Sequence, residues 1–205
     1  RRPGTRLVRA APGDGRLVAF EFNTEQIYLL CFTNERIDVY TDGTRTATIE
    51  APWTEAQLAK LVWVQSADTL LLVHPEAPPR KITRTSDSDW QISDWAYDET
   101  DGRIHQPHHK FAATDVTLDP SSTSGTITLV ASADVFVDDH VGTRFRLADK
   151  EVEITAVASA TSATASVKQT LASGAATKDW EEQAFSAVRG WPGSVTFHQD
   201  RMVIG

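Results

Sequence analysis

Residues 113–176 contain neither Trp nor Tyr, and their only aromatic side chains are Phe136 and Phe145. Nearly half of that stretch is Ala, Ser or Thr. Every Trp (Trp53, Trp63, Trp90, Trp95, Trp180, Trp191) and every Tyr (Tyr28, Tyr40, Tyr97) lies outside it. Interiors are close-packed, so a core of small side chains and a core of indoles call for different spacing between their layers. The composition therefore predicts two modules in one chain. A small aromatic-poor β unit at 113–176 is inserted into a larger aromatic-rich β unit formed by 1–112 and 177–205.

At 205 residues the chain can bury one large core or two small ones, and a hydrophobic fraction of 40% is that of a folded protein. The net charge is −8, and each region is acidic on its own. Residues 1–112 carry 13 basic against 16 acidic groups, 113–176 carry 4 against 8, and 177–205 carry 3 against 4. Sequence-independent attraction to a phosphate backbone is disfavoured by that balance. Arg1, Arg2, Arg6, Arg9 and Arg16 form the one basic cluster, which reads as a solvated terminus. The single Cys31 excludes an intramolecular disulfide; set in Leu-Leu-Cys-Phe, it reads as a small buried hydrophobe. No run approaches the length of a membrane helix, and no signal peptide is evident. The chain starts without Met and stops at Ile204-Gly205 just after a strand-like run, so it reads as a segment of a longer polypeptide.

Alternating or continuous apolar runs predict strands at 17–22, 26–32, 36–40 and 44–49, with Asp42-Gly43 as a hairpin turn. Thr54 with Gln57 has the form of a capping box and predicts one short helix within 52–60. Strands follow at 61–65, 69–74, 81–84 and 90–93, with 66–68 and 75–79 as turns. Residues 94–112 lack periodicity and read as a long connection. Strand signals resume at 115–118, 126–131, 144–147, 151–158 and 163–167, which suggests a small antiparallel barrel. Residues 195–198 and 201–204 then pair through Gln199-Asp200. The segment from Trp63 to Val73 faintly echoes that from Trp191 to Ile204: a Trp, a strand or turn, an acidic-containing turn, an apolar strand. Repeated hairpins of this kind occur in propeller blades.

Each candidate site has a plainer role beside it. His105, His108 and His109 in His-Gln-Pro-His-His suggest a metal clamp, but zinc needs three or four ligands and no Cys is near, so a solvated linker is expected. Asp138-Asp139-His140 lacks the spacing of a calcium loop and reads as a polar turn, with Gly142 allowing a tight turn and Val141 and Phe145 entering the core. Asp98, Glu99 and Asp101 crowd around Gly102 without the opposed placement that glycoside hydrolysis requires. No Gly-x-Ser-x-Gly elbow and no phosphate-binding loop is present. No catalytic residue, cofactor or metal is expected. Trp63 and Trp90 fall in strand-like runs and read as core, whereas Trp53 and Trp95 lie at element edges and are the candidate interface or ligand contacts.

Several motifs in order resemble a known family. Arg2-Pro-Gly-Thr-Arg6, Phe20-Glu-Phe-Asn23, Gln26-Ile-Tyr-Leu-Leu30, Trp63-Val-Gln-Ser-Ala-Asp68 and Val73-His-Pro-Glu-Ala-Pro-Pro-Arg-Lys-Ile82 are similar to the N-terminal part of the tail nozzle proteins of short-tailed phages and prophages, also called tail tubular protein B. Arg189-Gly-Trp-Pro192 and Thr196-Phe-His-Gln-Asp-Arg201 resemble that family's return into its main domain. Residues 127–147 resemble a small barrel of phage structural proteins, of the kind compared with the first catalytic cysteine half-domain of ubiquitin-activating enzymes. The segment has no Cys, so no thioester chemistry follows.

The resemblance implies an all-β protein: a partial propeller-like antiparallel sheet domain, an inserted small β-barrel and one short helix. It implies a virion tail protein, made in the bacterial cytoplasm, that assembles as a homo-oligomeric ring with other tail proteins and passes DNA through its lumen without binding it specifically. It implies no catalysis. The alternative from another class is a carbohydrate- or receptor-binding tail module, in which exposed Trp residues cluster on one face.

Overall fold

The computed structural model describes residue 7 and residues 9–205. Arg1, Arg2 and Arg6 of the basic cluster, and the whole of the Arg2–Arg6 motif, lie outside the described residues. The chain forms two compact units. One comprises the residues up to Trp95 together with Pro192–Gly205, and the other is Ala96–Trp191.

In chain order the strands are β1 (Arg16–Glu21), β2 (Ile27–Thr33), β3 (Arg36–Thr41), β4 (Thr44–Glu50), β5 (Val62–Ser66), β6 (Thr69–His74), β7 (Ala77–Arg84), β8 (Trp90–Asp94), β9 (Glu99–Thr100) and β10 (Arg103–Ile104). They continue with β11 (His108–His109), β12 (Leu118–Pro120), β13 (Thr126–Ala131), β14 (Arg144–Leu147), β15 (Lys150–Ser159), β16 (Ser162–Val167), β17 (Trp180–Gln183), β18 (Val195–His198) and β19 (Arg201–Ile204). Among the described residues helix is confined to α1 (Glu55–Leu58) and a 3₁₀ turn at Asp138–His140. The protein is all-β, built from several antiparallel sheets.

In the first unit β1–β2–β3–β4 and β5–β6–β7–β8 are two antiparallel meanders whose spatial order is their sequence order. Asp42 and Gly43 both have positive φ (49° and 76°), the type I′ geometry that matches strand twist. The expected helix forms with its capping glutamine in place, the Thr54 N–H donating to Gln57 Oε1 at 3.0 Å. Phe20, Tyr28 and Trp90 meet edge to face at centroid distances of 4.9–6.2 Å, so one core joins both meanders.

Successive first strands lie side by side. Gln65 of β5 donates to the Glu21 carbonyl (2.8 Å) and accepts from its N–H (3.1 Å), and β18 packs beside β5. The fourth strands β4 and β8 are also neighbours. This repeat is that of propeller blades, two of four strands followed by the β18–β19 hairpin. The echo between the segments after Trp63 and Trp191 corresponds to two hairpins, β5–β6 and β18–β19, each turning through a two-residue link that ends in Asp.

One turn is shorter than expected. Residues 75–79 read as a turn, yet β7 starts at Ala77 and runs through Pro78 and Pro79. Two prolines are tolerated there because the register shifts: His74 pairs with Ala77 and Leu72 with Arg80, so the prolines face an irregularity and owe the ladder no N–H.

The second unit is one seven-stranded antiparallel sheet in the order β11–β17–β14–β15–β16–β13–β12, with the β9–β10 hairpin beside it. The region expected as a small barrel is not closed among the described residues, because the first and last strands of its sheet are not paired with each other. Both edge strands are too short to close it, with two residues in β11 and three in β12, the last being Pro120. A single isolated bridge, Leu118 to Thr177, ties β12 to the segment entering β17. The Ala-rich composition is explained by packing. Ile127 and Leu129 on β13 stand opposite Ala165 and Ala163 on β16, so large side chains interdigitate with small ones.

This compact unit is wider than 113–176. The small-residue segment does not fill its own interior: Trp180 of β17, 1% exposed, stacks on Phe145 at 5.9 Å and donates its Nε1–H to the Val116 carbonyl at 2.9 Å. The strand that supplies Trp180 also pairs with β11, which brings residues before 113 into the sheet. The segment 94–112, read as a connection, thus holds β9, β10 and β11. The strand expected at 115–118 starts instead at Leu118.

Candidate functional site

Strand alternation assigns every second residue of β1, β2 and β3 to the core. Val18, Phe20, Tyr28, Leu30, Phe32, Ile37 and Val39 face inward. An antiparallel sheet with one solvated face ordinarily carries polar residues on the other side. Here the outward positions of β1 and β2 are Leu17, Ala19, Ile27, Leu29 and Cys31, with polar Glu21 and Thr33 only at the strand ends, and the register sets Leu17 opposite Cys31 and Ala19 opposite Leu29. Leu17, Ile27 and Leu29 are 62%, 50% and 42% exposed. They line a shallow groove of about 450 Å³ together with Arg9, Ala11, Tyr40, Thr41 and Asp42.

Toward β4 the same face turns polar. Asp38, paired with Cys31, is buried and accepts from Arg36 Nε (3.1 Å), Arg36 Nη2 (2.9 Å) and Thr48 Oγ1 (2.7 Å). Burial alone would raise its carboxyl pKa, but these hydrogen bonds and the neighbouring guanidinium groups hold it below the usual carboxylate range. Cys31 is 5% exposed, and burial followed by the Asp38 charge pushes its thiol up. A protonated, shielded thiol is a poor nucleophile, in keeping with its expected role as a small hydrophobe.

The second unit buries charge instead. Glu182 is fully buried and receives Arg189 Nη2 at 2.6 Å, Arg189 Nε at 3.2 Å and His140 Nε2 at 3.0 Å. The Val137 N–H donates to His140 Nδ1 at 3.0 Å, which leaves Nε2 as the ring's donor toward Glu182. Burial raises the Glu182 pKa, and the bonds from His140 and Arg189 outweigh it, so the group stays ionised below the usual range. Glu151, also fully buried, accepts the Ile104 N–H (3.0 Å) and Arg146 Nε (3.0 Å). Arg146 Nη2 donates to the Ile104 carbonyl (2.8 Å), Arg144 Nη1 to the Gly102 carbonyl (3.2 Å) and Arg144 Nη2 to Glu99 (3.0 Å). Together these groups strap the β9–β10 hairpin to the sheet. Both oxygens of each buried glutamate accept from fixed donors, an arrangement that holds structure.

Of the residues singled out from sequence, Trp53 lies in the core at 1% exposure, 6.2 Å from Phe32, so it presents no face to a ligand or subunit. Its edge position misled because the segment before α1 folds inward. Trp95 is half-buried at the end of the first unit, and Trp63 carries the Arg16 guanidinium over its ring at 4.3 Å. His108 and His109 form β11 and His105 lies apart from them, its N–H donating to the Asp98 carbonyl. Among the described residues no three His, Cys, Asp or Glu side chains gather within metal-binding reach. Glu99 is spent on Arg144, and Asp101 occupies a tight turn. Phe145 enters the core as expected, but Val141 does not: it is 54% exposed, and the neighbouring His140 goes in. The 3₁₀ turn rotates the chain by one position, and the buried Glu182 gives His140 a partner.

The outward face of β1 and β2 was missed, although its signal was there: apolar residues run through Ile27–Phe32 without alternating, the pattern of a strand covered on both sides. No protein-family model matches the chain, and no curated protein matches its sequence.

Proposed function

We propose that this chain is a structural component of a phage or prophage tail, of the nozzle or tail tubular kind, whose work is assembly into a ring or tube through which DNA passes. The observation that carries the reading is the outward face of β1 and β2, where Leu17, Ile27 and Leu29 stand exposed together around one groove. Contiguous apolar surface of this sort marks sites that a partner covers. Support also comes from the ordered motifs that resemble the tail nozzle family and from the blade-like repeat of the first unit. The net charge of −8 suits a wall along which a phosphate backbone slides without being retained.

The test is the mass of the chain in solution, alone and with neighbouring tail proteins, followed by electron microscopy. Rings with a central channel are the expected result. A monomer that persists at high concentration and in the presence of those proteins overturns the reading.

A further inference from the structure

We propose that His74 is an acid-operated latch: held neutral beside α1, it takes up a proton at low pH and releases the turn between β6 and β7. His74 ends β6 and pairs with Ala77 at the register shift of β6–β7, so Pro75 and Glu76 make the turn. Its side chain is fully buried. The Glu76 N–H donates to His74 Nδ1 at 3.1 Å, which sets the ring as the neutral tautomer with its proton on Nε2. That Nε2–H has no hydrogen-bond partner among the described residues. A second proton has one place to go, Nδ1, and there it replaces an acceptor with a donor aimed at another donor. Protonation therefore breaks the bond inside the turn and leaves a cation out of reach of water, a state the ring relieves by swinging outward.

The surroundings favour the neutral ring. Burial comes first and pushes the pKa below its ordinary 6.5; the Glu76 carboxylate opposes this, the Lys60 ammonium adds to it, and the Gln57 backbone of α1 opposes it. Lys60 and Glu76 pair with each other at 2.7 Å, an exposed tie between the end of α1 and the turn. Of the other elements nearby, β5 and β6 bring no further ionisable side chain, and Glu55 of α1 and His198 of β18 are exposed. Arg80 of β7 is paired with Asp94, and Arg16 donates to the Leu58 and Leu61 carbonyls. Because the folded value is depressed, the closed turn has its full stability above about pH 6.5 and loses it as pH falls through that value. The latch lies where the chain re-enters the first unit. A Cβ on Gly193 would stand 3.9 Å from Pro75 Cβ, and β18 also touches β6, so opening the turn loosens the seat of β18.

Hydrogen exchange of the full 205-residue chain from about pH 7.5 to about pH 5 tests this, read as protection relative to the unfolded chain so that the chemical pH dependence cancels. His74→Gln is the comparison, since its amide oxygen can accept the Glu76 N–H and takes up no proton. In wild type, protection across residues 70–77 falls once pH drops below about 6.5, approaching about tenfold per pH unit, the slope of one proton bound on opening. β2 and β3 keep their protection, and His74→Gln is flat over the same range. Wild-type protection that does not change overturns the proposal. So does an equal fall in the variant, which assigns the effect to other groups, or an equal fall in β2 and β3, which marks loss of the whole unit. If the variant does not fold, long-range proton–nitrogen NMR of the wild-type imidazole decides. Nδ1 should stay unprotonated for as long as the turn is closed, and a ring that gains its proton while residues 70–77 remain protected overturns the latch.

Discussion

Replacing Glu182 with Gln tests the buried charge cluster. The carboxylate accepts three hydrogen bonds, two from Arg189 and one from His140, and has no exposure of its own. An amide keeps one acceptor oxygen and turns its NH₂ toward a guanidinium, so at least one charge-assisted bond is lost. Such bonds contribute about 1.5–3 kcal/mol each. The Arg189 side chain is 28% exposed and recovers part of that loss by turning to water, which leaves a net cost of about 2 kcal/mol. For a unit of this size that lowers the thermal midpoint by about 10 °C. The pH dependence has a definite sign. The folded carboxyl lies below its ordinary value, so its contribution is fully present above the unfolded pKa of about 4.3 and is lost as pH falls through the folded value. Hydrogen exchange under increasing urea reads this unit alone if peptides from β14 and β17 are followed with β1–β4 as reference. Wild type and variant should differ at pH 7, and the difference should shrink progressively as pH falls below about 4.3. Equal stability at pH 7, or a difference that is the same at pH 7 and pH 3, refutes the argument.

Three further outcomes are expected. Gly102→Ala places a Cβ 2.6 Å from the Lys168 carbonyl at a φ of +77°; it should loosen the β9–β10 hairpin by about 1–3 kcal/mol. Exchange in residues 99–104 then rises while β13 and β16 stay protected, and unchanged protection counts against the strap. Trp53→Ala should cost about 3–5 kcal/mol by denaturant unfolding, whereas Trp53→Phe should cost far less, since Trp53 Nε1 has no partner among the described residues. Cys31, shielded and with its thiol pushed up by burial and by Asp38, should resist maleimide at neutral pH and label fully once the chain is unfolded. Prompt labelling of the native protein contradicts that placement.

What was legible in the sequence follows the range of the interactions involved. The strands of both meanders are written in local alternation, and Asp42-Gly43 and the Thr54–Gln57 pair carry their own backbone chemistry. Residues whose placement depends on a distant partner were misread. His140 was read as part of a polar turn because nothing nearby announces Glu182, 42 positions on. The β9–β10 hairpin was read as a linker because its anchors, Arg144, Arg146 and Glu151, lie about as far away. Pro78 and Pro79 spoke locally for a turn and were overruled by a shift of register in β6–β7. Trp180 was credited to the aromatic-rich module by composition, although it completes the core of the aromatic-poor one.

The pairing of His108 with Gln183 in β11 and β17 bears on the order in which the chain folds. β18 must reach β5 across the 96 residues from Ala96 to Trp191. Closing an unstructured loop of that length costs about 4 kcal/mol of chain entropy. Once β11 and β17 are zipped together, the two ends of the intervening unit are held near each other and most of that cost has already been met. The second unit therefore acts as a clasp in time: until it has folded, the β18–β19 hairpin is a tethered segment searching a large volume, and afterwards it is a short strand delivered to its neighbour.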